Sequence, residues 1–72
     1  MRNVEVAELL SRRARLKRAE GDLASRVERQ ISMLDSAGRE HLSDPLYQRL
    51  WSAQSGVRHE LAQVDQTLAP LF

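Results

Sequence analysis

In the second half of the chain, apolar residues recur at steps of four and three: Leu46, Leu50, Ala53, Val57, Leu61, Val64, Leu68 and Leu71. Such a period places them along one stripe of a helix, and a stripe this regular is the seam of a coiled coil, which requires a partner helix. Gln48, Arg49, Ser52, Ser55, His59, Gln63 and Gln66 fall on the opposite side and predict a solvated face. In the first half, Val6, Leu9, Leu16, Ala19, Leu23, Val27, Ile31 and Leu34 recur at steps of three, four or seven and predict a second helix with one apolar stripe. Each stripe is what the other lacks.

The signals for ends and turns divide the chain. Asn3 is a candidate cap for the first helix, and Gly38, just past Ala37, suits the left-handed residue that closes one. Gly21 weakens the middle, since glycine costs about 1 kcal/mol relative to alanine inside a helix. Asp22 could restart a helix there, but Leu16 and Leu23 stay in phase across Gly21, which favours one continuous helix. In "HLSDPLYQRLW" (41–51), Ser43 or Asp44 can cap the second helix, Pro45 fits its first turn, and Leu42 is positioned to pack on Tyr47 as a hydrophobic staple. Pro70 disfavours helical geometry at Ala69. The expectation is an all-α fold, a single domain over 1–72: a two-helix antiparallel, coiled-coil-like hairpin with helices at about 4–37 and 45–69 and a turn at about 38–44, with Gly21 the one place where the first helix could be interrupted.

Laid side by side from the turn, a first helix longer than the second leaves residues near Pro70 opposite Arg12 and the first turns, with Val4, Val6, Leu9 and Leu10, projecting beyond the hairpin. Two helices with one stripe apiece also leave each stripe partly uncovered. Removing apolar surface from water is worth roughly 25 cal/mol per Å², so the reading predicts a partner-binding surface centred on Val6, Leu9, Leu10, Leu16, Leu50, Trp51 and Leu61. Trp51, at the edge of the seam, is either an interface anchor or a residue folded back on the first helix.

Composition narrows the chemistry. Seventy-two residues make one small domain, which buries only roughly 60% of its unfolded surface. Cysteine is absent, which removes disulfides, thiolate metal sites and a cysteine nucleophile. The two histidines, His41 and His59, are expected to face solvent and lack clustered carboxylates, so no metal site is expected. No serine has a predicted base and carboxylate beside it, and three scattered glycines build no phosphate loop. The expectation is a protein that is not an enzyme and holds no cofactor. Apolar runs are no longer than "LAPLF", and "MRNVEVAELL" has acids where a secretory signal has an apolar core, which predicts a cytoplasmic protein with no membrane segment.

Eleven Lys and Arg stand against ten Asp and Glu, for a net charge of +1, so the whole molecule has no strong pull on nucleic acid. Locally, "RRARLKR" (12–18) concentrates five cations, and clustered cations of this kind supply phosphate affinity. It lacks an interleaved aromatic for stacking on bases. In an antiparallel hairpin the same cations lie beside the carbonyl end of the second helix, whose partial negative charge they would neutralise.

The "LSDPLYQ" turn (42–48), in a hairpin of this size with a basic first helix, resembles the small E-type cochaperones of bacterial type III secretion needles, in which a DP followed by YQ opens the second helix. The motif covers about seven residues, and the hairpin resemblance covers the chain. That resemblance implies a non-enzymatic, cytoplasmic hairpin that binds a tetratricopeptide-repeat chaperone and keeps the needle subunit soluble before export. "AQS" (53–55), Asp65 and Phe72 are similar to the last helix of needle subunits themselves. The short stretch between the turn and AQS, the arginine-rich first helix and Pro70 all depart from that pattern. A self-assembling needle-like subunit or homodimeric helical bundle, and a nucleic-acid-binding hairpin using Arg12 to Arg18, are the alternatives.

Overall fold

The computed structural model describes residues 2–71 and is an all-α hairpin of two helices. Helix α1 spans Arg2–Ser36, α2 spans Pro45–Leu68, and a 3-10 turn at Ala69–Leu71 continues the second arm. The molecule measures 55 × 16 × 15 Å. Asn3 lies inside α1 rather than capping it, because the helix starts before it, at Arg2. Gly21 does not interrupt α1: a Cβ there would meet nothing within 4 Å, and the heptad runs through it.

The turn is built from specific hydrogen bonds. Gly38 has φ +70°, its N–H donates to Asp35 O (3.0 Å), and Arg39 N–H donates to Leu34 O (2.8 Å). These two bonds form the Schellman closure that satisfies orphan carbonyls at a helix end. At the start of α2 the cap is Asp44, not Ser43: Asp44 has extended geometry (φ −73°, ψ 127°) and its Oδ2 accepts from Tyr47 N–H at 2.9 Å. With Asp44 as cap, the staple positions fall on Ser43 and Gln48, not on Leu42 and Tyr47, which line one open groove. Leu42 is 61% exposed, and the Tyr47 ring instead meets the edge of His41 at 4.9 Å. His41 is accordingly half-buried rather than solvent-facing, with its Nδ1 3.6 Å from Asp35 Oδ1, whereas His59 is exposed.

The seam consists of Val6, Leu9, Arg13, Leu16, Glu20, Leu23, Val27, Gln30 and Leu34 on α1 against Tyr47, Leu50, Gln54, Val57, Leu61, Val64 and Leu68 on α2, all buried or half-buried. Steps of three and four alternate without a break, the heptad repeat of two supercoiled helices. On α2 this shifts two of the expected seam positions: Tyr47 and Gln54 face inward, while Leu46 and Ala53 are exposed. Hydrophobicity alone prefers Ala53 to Gln54, but geometry places position 54 on the axis between the arms. Its polar head is satisfied there, with Nε2 donating to Glu20 Oε1 at 3.4 Å.

The expected overhang is also corrected. Val6 and Leu9 share a groove with Thr67 and Leu71, and Leu10 shares one with Leu68 and Ala69, so the arms end nearly level. The connection runs back along α1 before α2 begins, as the 3.0 Å bond from Gln30 Nε2 to Asp44 Oδ2 records. Helix α2 therefore starts beside the penultimate turns of α1 and, with its 3-10 extension, reaches the first. The deepest apolar residues are Val27, Leu34, Val64 and Leu68, and among the described residues no side chain is fully enclosed. Two helices cannot enclose one.

Candidate interaction surface

A two-stranded seam leaves two flanks, one on each side of the line where the helices touch. One flank is marked by the heptad positions of Leu10 and Trp51, the other by those of Met33 and Leu46. Both flanks carry exposed large apolar side chains, and between them stands a seam whose polar members are each paired across the helices.

Those polar pairs set the register. Arg13 Nε donates to Asp65 Oδ1 at 2.6 Å, and Glu20 Oε1 accepts from both Gln54 Nε2 and Arg58 Nε, the latter at 3.0 Å. Gln30 reaches the capping Asp44. No buried side-chain nitrogen or oxygen lacks a partner among the described residues. Sliding the arms by one heptad would break each of these pairs, and polar seam residues fix coiled-coil alignment in this way. The Asp44 carboxyl is held below the ordinary aspartate value, chiefly by the Tyr47 N–H, with Gln30, Arg39 and the Leu46 N–H adding to it against an opposing effect of burial.

On the first flank, Trp51 is 54% exposed and lines an open groove with Leu42, Tyr47, Gln48 and Ser52 near the turn. Leu10, 43% exposed, lines a second groove with Arg13, Asp65, Leu68 and Ala69 at the open end. Between these ends the same side of α1 carries the exposed small residues Ala14 and Gly21. Lys17, one heptad on from Leu10, and Arg58, one heptad on from Trp51, are exposed on the same side, so the flank has an apolar contact at each end and cations between them.

Of the residues expected to bind a partner, the structure brings Leu10 and Trp51 to the surface. Val6 and Leu9 are half-buried beside Leu71, and Leu16, Leu50 and Leu61 are half-buried in the seam. Trp51 does not fold back under α1. Leu42 and Met33, 57% exposed, escaped the sequence reading. Leu42 was assigned to the staple, and Met33 directly precedes the buried Leu34, so neither broke the expected pattern.

The basic run is partly spoken for. Arg12 Nη2 lies 3.5 Å from Glu60 Oε2 and Arg13 is held by Asp65, so these cations pair with acids along α2 rather than with its carbonyl end. No group of three or more His, Asp or Glu side chains that could hold a metal ion is found among the described residues, and no helix is long and apolar enough to cross a membrane. Compared with protein-family models, curated proteins and solved structures, the chain has no match to any of them.

Proposed function

We propose that this hairpin is a cochaperone of a type III secretion needle: in the cytoplasm it binds a tetratricopeptide-repeat chaperone, and the pair keeps the needle subunit soluble before export. The reading rests on the resemblance carried by "LSDPLYQ", and the observation that supports it best is the flank ending in Leu42 and Trp51 at the turn and Leu10 at the open end. Repeat proteins require their terminal repeats to be covered by a polar-backed cap. A rigid hairpin that offers an apolar contact at each end of one flank, with polar residues between and behind them, has the shape of such a cap. Trp51 supplies the large amphipathic contact typical of an interface anchor, and Leu10 supplies a second contact that fixes the angle of the hairpin on its partner.

The bound hairpin then acts by mass action. Covering the end of the repeat protein stabilises the folded chaperone, and the chaperone masks the amphipathic helix through which needle subunits polymerise. No bond is made or broken, and the energy comes from removing apolar surface from water.

Coexpression with the tetratricopeptide-repeat protein encoded nearest to it tests this reading. The wild-type chain is expected to copurify in a one-to-one complex. A Leu10→Asp/Trp51→Ala variant, checked for unchanged helicity by circular dichroism, is expected to lose at least about tenfold in recovery. Full recovery of that variant, or no complex with the wild type, overturns the proposal.

A further inference from the structure

The flank opposite Trp51 has a charge order of its own. On this side of α1, Glu5 and Glu8 lie at the open end, and Arg26 and Arg29 lie toward the turn. Their places are fixed by the grooves they line: Glu5 and Glu8 with Leu9, Arg12 and Arg15, and Arg26 and Arg29 with Met33, Leu46 and Leu50. Glu5, Glu8, Asp22, Arg26 and Arg29 form no ion pair among the described residues. Along α1 the flank thus runs from two glutamates at its tip, through Arg12, Arg15 and Asp22, to two arginines toward the turn.

We propose that a second copy of this chain docks on this flank, giving an antiparallel two-fold dimer and hence a four-helix bundle. A two-fold axis across the long axis of the hairpin lays the turn end of one copy on the open end of the other, with α1 against α1. Arg26 and Glu8 stand nine residues either side of Lys17, Arg29 and Glu5 twelve, and Arg12 and Asp22 five. One axis level with Lys17 therefore brings all three pairs together at once, and symmetry repeats each of them. Flanking charges of this kind decide partner and orientation in coiled coils. A parallel arrangement would set Arg26 and Arg29 against their own copies.

The apolar residues agree with the same axis. The turn-end residues Met33 and Leu46 of one copy come to lie at the open end of the other, the end that carries Leu71. Met33 and Leu46 are 57% and 48% exposed in the single chain, and Leu71 is 48% exposed. Glu60, the flank residue of α2 nearest the axis, comes close to its own copy there, and Arg12, 3.5 Å from it, is shared between Glu60 and Asp22 of the second copy. Ala19 and Ala53 leave room in the middle of the flank for the charged side chains of Arg12, Arg15, Asp22 and Glu60. The contact can run along the 55 Å length of the hairpin. Because Leu10 and Trp51 lie on the other flank, this contact stands apart from the proposed chaperone site.

The test is a charge swap followed by sedimentation equilibrium. The wild-type chain is expected to dimerise, more weakly as salt is raised. Arg26→Glu/Arg29→Glu makes both ends of the flank acidic, and Glu5→Arg/Glu8→Arg makes both ends basic. Each double variant alone is expected to dimerise at least about tenfold more weakly, and an equimolar mixture of the two is expected to form a heterodimer. Circular dichroism of each variant controls for folding, and Met33→Glu/Leu46→Glu gives an independent loss. A monomeric wild type at millimolar concentration, or double variants that dimerise as well as the wild type, or a mixture that stays monomeric, overturns the dimer and leaves the Trp51 flank untouched.

Discussion

The two ends of the hairpin are held by different physics. At the turn, nearly every polar group has a named partner: Arg39 N–H on Leu34 O, Gln30 and the Tyr47 N–H on Asp44, Gln48 Nε2 on Leu42 O at 3.0 Å. At the open end the arms meet mainly through Val64 and Leu68, helped by the Arg13–Asp65 pair. Hydrogen bonds are directional and fix register, whereas apolar burial is non-directional and supplies most of the free energy. The turn therefore specifies how the arms align, and the seam beyond it supplies the reason they stay together.

Core truncation tests that division with the largest effect. Leu34 and Leu68 are 3% and 5% exposed, and replacing either with alanine should cost about 2–4 kcal/mol. In so small a domain that loss is a large part of the total stability. The expected difference is spatial. With Leu68→Ala, amide hydrogen exchange should lose protection at the open end while Tyr47 and Gln48 keep theirs; with Leu34→Ala, protection should fall along both arms, because the register-setting turn is loosened. Equal losses everywhere in both variants would show that the hairpin melts as one unit and that the two ends do not differ.

Much of this division was legible in the sequence, but not all of it. The period of apolar residues marked two helices, and Gly38 and Pro45 marked the turn between them. Position 54 was misread because hydrophobic periodicity has no means of preferring a glutamine to the neighbouring Ala53. Only the pairing with Glu20 and Arg58 across the seam justifies it, and that pairing is a property of the register. The overhang failed for a related reason: helix lengths say nothing about how far a connection runs back along the first arm. The sequence places Leu10, Leu16 and Leu61 alike in the partner surface and leaves Trp51 open between contact and core; the structure exposes Leu10 and Trp51 and gives Leu16 and Leu61 to the seam. A stripe identifies the residues that seek cover, and the second helix decides which of them receive it.

One substitution with opposite signs at two positions gives a smaller effect. Gly38 holds φ +70° in the closure of α1, where an added Cβ crowds the backbone, so Gly38→Ala should destabilise by about 1 kcal/mol. Gly21 sits in the middle of α1 with open space around its Cα, so Gly21→Ala should stabilise by about the same amount. Thermal unfolding followed by circular dichroism measures both. A stabilising Gly38→Ala would mean that the turn does not depend on its left-handed closure.

The smallest effect isolates the charge at the turn. Asparagine caps a helix about as well as aspartate does, so Asp44→Asn should change the thermal midpoint little near neutral pH. Its signature is the response to acid. The Asp44 carboxyl titrates below its ordinary value because the folded state donates hydrogen bonds to the charged form, first from the Tyr47 N–H. A depressed carboxyl contributes stability that is fully present above its unfolded value of about 3.9 and is lost as pH falls through the lower, folded value. The difference in stability between wild type and Asp44→Asn should therefore be constant from neutral pH down to about pH 4 and should shift toward the variant below it. Subtracting one profile from the other removes whatever the two proteins share. Parallel profiles down to about pH 2 would mean that the cap works through geometry alone, and that the turn end owes its specificity to shape rather than to charge.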